Sequence, residues 1–156
     1  MPEAERRTPT FNHVAISVPP DALGEDGRAR ILRFYGEVFG WTEMPTLTLD
    51  GERLVMRAYS NEQFVYVVAD PKPMTCGSLD HFGMSVGTPE ELYEMLARAR
   101  EFKRVDDRVE IVEPTVEDFQ VLKLHNFYVR FGLPMLVEVQ CFDWAEGVGP
   151  DSLPAE

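Results

Sequence analysis

The stretch FNHVAISV, residues 11–18, is written again with conservative exchanges as LDHFGMSV at residues 79–86. The histidines, the serines at 17 and 85 and the valines at 18 and 86 coincide, and Ile16 is exchanged for Met84. The interval is 68 positions, from 13 to 81, in a chain of 156 residues. Half a chain is too long for a solenoid unit and suits a duplicated sub-domain.

The residues after each copy support the duplication. After the first comes the turn-rich PPDALGEDG and then RARILRFYGEVFG, in which Ile31, Phe34, Tyr35, Val38 and Phe39 recur at helical spacing and Gly40 stops the helix. After the second, Thr88, Pro89 and Glu91 supply an N-cap, an N1 proline and a capping-box acid, and Leu92, Met95, Leu96, Ala99 and Phe102 form the apolar stripe. Three β-rich runs succeed each helix. They are read at 41–47, 53–59 and 63–69 in the first half, with turns at 50–52 and 60–62, and at 109–113, 121–130 and 135–142 in the second. Each half is therefore strand, helix, strand, strand, strand. The expected division is a flexible N-terminus 1–10, a first module 11–70, a linker 71–78, a second module 79–142 and a flexible tail 143–156.

Composition narrows the functional classes. A 44% hydrophobic content is enough for a buried core, and the formal charge of −12 with no basic run argues against nucleic acid and anionic membrane partners. No apolar run is long enough to span a bilayer and the N-terminus lacks a signal-peptide core, so the cytoplasm is the expected compartment. Cys76 and Cys141, far apart and without a CxxC partner, read as reduced thiols.

Strand alternation assigns the faces. Asn12, Val14, Ile16 and Val18 share the side that packs on a helix, leaving Phe11, His13, Ala15 and Ser17 opposite; in the second copy Leu79, His81, Gly83 and Ser85 take the latter place. Small residues around a histidine suit a strand lining an open cavity. In the last run, MLVEVQC, Glu138 shares a face with Leu136, Gln140 and Phe142, and an unpaired carboxylate in mid-strand is costly. Taken singly, each histidine reads as an ordinary polar strand residue. At repeat-equivalent positions, with a mid-strand glutamate beside them, His13, His81 and Glu138 read as a shared metal site. Two imidazoles and one carboxylate with open positions are the donor set of non-haem Fe(II) oxygenases.

The runs RFYGEVFGW, LDHFGMSV and LVEV, together with FNHVAISV, resemble the vicinal oxygen chelate superfamily over roughly residues 11–142. That superfamily includes glyoxalase I, extradiol dioxygenases, fosfomycin-resistance transferases, methylmalonyl-CoA epimerase and bleomycin-binding proteins. The resemblance implies an α+β fold of two βαβββ modules whose curved mixed sheets enclose a cavity. It also implies metal ligands on the first and last strands of each module, which fall on His13, His81 and Glu138. Aligning QFVYVVA with MLVEVQC sets Tyr66 opposite Glu138 as the fourth position. A phenol, with its ordinary pKa of about 10, is a poor ligand, which speaks against a four-ligand glyoxalase I and leaves Tyr66 as a substrate-binding candidate.

The three-ligand set is similar to that of extradiol dioxygenases and fosfomycin-resistance transferases. The segment HNFYVRFGLPMLVE partly resembles the extradiol pattern, with Tyr128 ten residues before Glu138 and Pro134 in the turn, but with Phe131 and Gly132 in place of an Asp-Pro. Tyr128 and His125 are the acid–base candidates; they point to opposite faces, so only one reaches the cavity. Arg57 and Gln140 complete the substrate-binding candidates. The resemblance implies a divalent metal, with Fe(II) leading and Mn, Ni, Co or Zn as alternatives, a small substrate with vicinal oxygens, and a homodimer. Dioxygenase-like chemistry leads over lyase, isomerase or thiol-transferase chemistry. A non-catalytic, resistance-type binding protein is the further alternative, and bleomycin-binding members lack the metal triad.

Overall fold

Each copy of the repeated motif forms the first strand of its own sheet in the computed structural model, which describes residues 8–152. The first module runs β1 (His13–Val18), α1 (Glu25–Phe39), β2 (Thr42–Glu43), β3 (Arg53–Ser60) and β4 (Gln63–Ala69). The second runs β5 (His81–Val86), α2 (Pro89–Val105), β6 (Glu110–Asp118), β7 (Leu122–Arg130) and β8 (Leu136–Trp144). The sheets have strand orders β1-β4-β3-β2 and β5-β8-β7-β6, with the first strand parallel to the last and the remaining pairs antiparallel. Among the described residues no ladder joins the two sheets, so they flank a seam rather than close into one surface.

Local chemistry accounts for the elements and for where expectation and structure part. In α2 the Thr88 side chain accepts from the Glu91 N–H while the Glu91 carboxylate accepts from the Thr88 N–H. Gly40 closes α1 in the left-handed region at φ 73°, its N–H donating back to the carbonyls of Tyr35 and Gly36. The strand expected at 41–47 shrinks to Thr42–Glu43. Pro45 brings no N–H to a ladder, and the Leu47 and Thr48 N–H groups turn back to the Met44 carbonyl. The strand expected at 109–113 instead continues to Asp118. Pro114 falls within a register shift between Val112 and Thr115, on an edge strand, where its missing donor costs little.

Ile16 and Val18 on β1 are buried against the helices, as the alternation predicts. One core serves both modules. Phe34 of α1, fully buried, meets Tyr35 (4.9 Å), Phe102 of α2 (5.1 Å) and Phe131 of the β7–β8 turn (4.8 Å). Aromatic pairs at such spacing contribute about 0.5–1.5 kcal/mol each beyond the area they bury. The Tyr35 hydroxyl donates to the Phe131 carbonyl at 2.9 Å, a polar tie between the modules inside an apolar core. The segment 71–78 joins the modules, and the Met74 N–H donates to Ser17 Oγ (2.7 Å), fastening it back to β1.

Cys76 and Cys141 are free thiols, and burial pushes the Cys141 thiol up. At the C-terminal end the Ala145 N–H donates to the Val121 carbonyl and residues 150–152 form a 3-10 turn. Residues 1–7 and 153–156, the outer parts of the ends expected to be flexible, lie outside the described residues. Among the described residues no helix is long and apolar enough to cross a membrane.

Candidate functional site

Register places the two modules' equivalent positions side by side. His13 pairs with Phe64 and His81 with Leu136; two residues on, Ala15 pairs with Tyr66 and Gly83 with Glu138. Tyr66 and Glu138 are therefore equivalent in backbone geometry as well as in alignment. The duplication is broken there, a phenol in one sheet against a carboxylate in the other.

Glu138, 5% exposed, is the one buried charged side chain among the described residues. Both its oxygens are engaged. Oε1 accepts from Asn126 Nδ2 at 2.9 Å, and Oε2 lies 3.1 Å from His81 Nε2. The other nitrogen of His81, Nδ1, is 2.7 Å from the Leu79 carbonyl, which can only accept, so the ring proton sits on Nδ1. A neutral imidazole then turns a bare Nε2 lone pair toward a carboxylate oxygen that is also only an acceptor. The contact is favourable when a positive charge stands between the two atoms, either a second ring proton or a metal cation. A ring oriented by an Nδ1–H bond to a backbone carbonyl, with Nε2 facing a carboxylate, is a donor arrangement that fits a divalent metal.

His13 repeats part of this pattern. Its Nδ1 lies 2.6 Å from Asn12 Oδ1, leaving Nε2 free, and its ring stacks on Phe64 with centroids 5.0 Å apart. His13 and His81 line one cavity of about 360 Å³, together with Phe11, Tyr59, Phe64 and Met84. His13 nevertheless stands apart from the other pair, and among the described residues no three His, Cys, Asp or Glu side chains are close enough together to hold a metal ion.

The remaining candidates divide by strand parity. Tyr128 lies directly across from Glu138 and meets the His81 ring edge-on at 5.2 Å. Its phenol is pushed up from the ordinary range, first by burial and then by hydrogen bonding to Glu138 and the charges of Glu138 and Glu117. His125 pairs with Cys141 and packs edge-on against Tyr93 of α2, on the helix side of the sheet. Both its ring nitrogens are buried without a hydrogen-bond partner, and the nearest acid, Asp143, is 3.7 Å away. Of the two acid–base candidates, Tyr128 is the one beside Glu138.

Gln140, one row on from Glu138, pairs with Ser85 and Asn126. Arg57 lies in the row of Phe64 and His13, exposed, with Nη2 3.3 Å from the Tyr59 carbonyl. Two contributors escape motif reading. Asn126 holds Glu138, and Thr115 Oγ donates to Asn126 Oδ1 at 2.5 Å. Asn126 shares Tyr128's alternation along β7, which was the available signal. Thr115 lies past the bulge in β6 and has none.

No protein-family model matches the chain, and no curated protein does. Solved structures do match. The chain is similar to a glyoxalase/bleomycin resistance protein from Albidiferax ferrireducens, at 19% identity over 84% of this chain and 98% of that one, with a TM-score of 0.55. It is similar to a lactoylglutathione lyase from Agrobacterium tumefaciens, at 15% identity over 86% and 95% of the two chains, TM-score 0.56. It is also similar to a glyoxalase/bleomycin resistance protein/dioxygenase from Nocardioides, at 14% identity over 97% and 93%, TM-score 0.59. Likeness at these identities speaks to architecture, and it agrees with the two βαβββ modules: the chain has the glyoxalase/bleomycin resistance/dioxygenase fold.

Proposed function

We propose that the protein is a divalent-metal-dependent enzyme acting on a small molecule with vicinal oxygens. The carrying observation is the buried Glu138 facing the Nε2 of a His81 whose Nδ1 is tied to the Leu79 carbonyl. His81 Nε2 and Glu138 Oε2 would hold the metal, and His13, its Nε2 left free by Asn12 but standing apart on the other sheet, would join them as third donor only when brought closer. A bound divalent ion supplies Lewis acidity, stabilising negative charge that develops on a chelated substrate oxygen. Tyr128, beside both residues, offers its hydroxyl as a hydrogen-bond donor to that oxygen. Tyr66, at the position equivalent to Glu138, leaves the site without a fourth strong protein donor, which supports open positions for two substrate oxygens.

Among the chemistries open to three donors, the extradiol dioxygenase type leads, with Fe(II) as the metal. The aromatic lining of Phe11, Tyr59 and Phe64 suits a planar ring; Arg57 and Gln140, which are outside that lining, stay as the candidates for its polar substituents. Lyase, isomerase or thiol-transferase chemistry with Mn, Ni, Co or Zn is the alternative, and a homodimer is the expected assembly. His13 standing apart from the other pair favours a second reading, a protein that sequesters its ligand without chemistry.

Metal analysis of anaerobically purified protein separates these readings. About one Fe per chain, lost in His81→Ala and Glu138→Ala, supports the enzyme, and oxygen uptake with a panel of catechols supports the dioxygenase. Metal without oxygen uptake moves the reading to lyase or isomerase chemistry. No metal under any loading condition leaves the binding protein.

A further inference from the structure

A second cavity lies at the far end of β1 from His13 and shares no residue with the cavity of the two histidines. It measures about 380 Å³ and both modules wall it, with Ser17, Pro19 and Met74 on one side and Arg108, Glu110 and the turn from Arg130 to Pro134 on the other. Two guanidinium groups are held in that wall. Arg108 gives Nε and Nη2 to the Asp106 carboxylate (2.8 and 2.5 Å) and lies over the Phe131 ring at 5.6 Å. Arg130 gives Nη1 to the Pro134 carbonyl (3.1 Å) and Nη2 to Glu110 (2.5 Å). A guanidinium carries five N–H donors, so each keeps three after these bonds. Fixed partners already restrict both side chains, which lowers the entropic cost of a further contact. Beyond Arg108 a smaller recess of about 110 Å³ continues past Gly132 to a third guanidinium, that of Arg30. Asp106, Asp107 and Glu110 offset the three arginines, so the region is close to neutral in a chain of formal charge −12.

Planar forks with free N–H groups, set beside the apolar Val18, Phe131 and Leu133, suit a molecule that is anionic at one end and apolar at the other. Glu110 is the competitor for Arg130. Its side chain is 59% exposed, and an exposed ion pair is weak, so an incoming oxyanion can take its place. We propose that this groove binds a small organic oxyanion, a carboxylate or a phosphate ester with an apolar body, through Arg130 and Arg108, and that the anion displaces Glu110 as it enters. Both modules wall the groove, so an occupied site ties them together without involving His13, His81 or Glu138.

Calorimetric titration of the full chain with phenyl phosphate, benzoate and inorganic phosphate in low-salt buffer tests it. Wild type should bind one phenyl phosphate or one benzoate per chain, more tightly than inorganic phosphate and less tightly as NaCl is added. The tighter of the two organic probes identifies the preferred oxyanion. Arg130→Gln and Arg108→Gln should each weaken binding about 10–100-fold, the range for losing a hydrogen bond to a charged group. Arg130→Lys should keep only part of the affinity, because an ammonium presents no fork. Glu110→Gln should tighten binding severalfold, a change of sign that a purely structural Arg130–Glu110 pair would not produce. Arg57→Ala, on the exposed part of β3, should leave binding unchanged. Absence of saturable binding of all three probes by folded wild type, wild-type affinity in both glutamine variants of the arginines, or a loss seen in Arg57→Ala instead would overturn the proposal. Weaker binding by Glu110→Gln would overturn the displacement, and inorganic phosphate binding as tightly as phenyl phosphate would overturn the apolar body.

Discussion

Replacing Glu138 by glutamine asks what charge stands between His81 and its carboxylate partner. A neutral His81 that gives its Nδ1–H to Leu79 turns its Nε2 lone pair toward Glu138 Oε2 at 3.1 Å. Two acceptors then oppose each other, one of them on a buried carboxylate, and an unmatched buried polar atom costs about 1–3 kcal/mol. Glutamine has the same shape. Its oxygen can still accept from Asn126, and its amide N–H can donate to His81 Nε2, so the mismatch disappears. Metal-free Glu138→Gln is therefore expected to be more stable than wild type by about 1–2 kcal/mol, roughly 2–8 °C in Tm for a chain of this size. Divalent metal should reverse the ranking. A ligand at 100 times its Kd stabilises by about 2.7 kcal/mol, so loaded wild type should gain roughly 5–10 °C while the variant gains nothing. Calorimetry at pH 8 with chelator and with added Co(II) measures both differences. A metal-free variant about 3 kcal/mol or more less stable than wild type would refute the reasoning. That is the cost of breaking a buried ion pair, and it would mean that an imidazolium already satisfies Glu138 without any metal.

Tyr35→Phe should cost about 1–3 kcal/mol in urea denaturation, because the buried Phe131 carbonyl loses its side-chain donor where α1 meets the second module. The same residue gives an alkaline signature. Burial raises the folded-state pKa of the Tyr35 phenol above its unfolded value, so the associated stability is complete below about pH 10 and is lost as pH rises beyond it. Urea midpoints from pH 8 to 11 should fall more steeply for wild type than for Tyr35→Phe, and parallel slopes would exclude the effect. His125→Leu removes two buried nitrogens that lack partners and lies on the helix side of the sheet. Stability should hold or rise by about 1 kcal/mol with Co(II) affinity unchanged, and a loss of affinity would place His125 in the site after all.

The parts of this fold that were legible in the sequence are those governed by one ladder or one helix. Alternation in residues 11–18 assigned His13 and Ile16 to opposite faces, and Ile16 is buried while His13 is exposed. The Thr88–Glu91 capping box and the Gly40 stop are local hydrogen-bond chemistry, readable from residue type and spacing alone. Parity along β7 also predicted that His125 and Tyr128 would separate, although it could not say which would meet Glu138; that required the register with β8. Proline misled in both directions. Pro45 ended a strand that its neighbours' β propensity extended, whereas Pro114 was absorbed by a bulge on an edge strand. Asn126 showed only through its alternation with Tyr128, whereas Thr115 was out of reach because its place beside Asn126 depends on a bulge-shifted register between β6 and β7.

The relation between the two sheets is a different kind of quantity, and the candidate site depends on it. His81 and Glu138 lie on neighbouring strands of one ladder, so their spacing is held by backbone hydrogen bonds. His13 lies on the other sheet, and its distance from them is set by packing through α1, α2 and the Phe34–Phe102–Phe131 cluster. Apolar packing is less directional than a ladder, so a small change in how the modules dock moves His13 without disturbing the His81–Glu138 pair. The asymmetry at Tyr66 and Glu138 has the same consequence. With its carboxylate in the second sheet only, the site consists of a half held in register and one histidine presented from across a seam. Substitutions within the core cluster that shift docking should therefore weaken the contribution of His13 first and leave the Glu138 half intact.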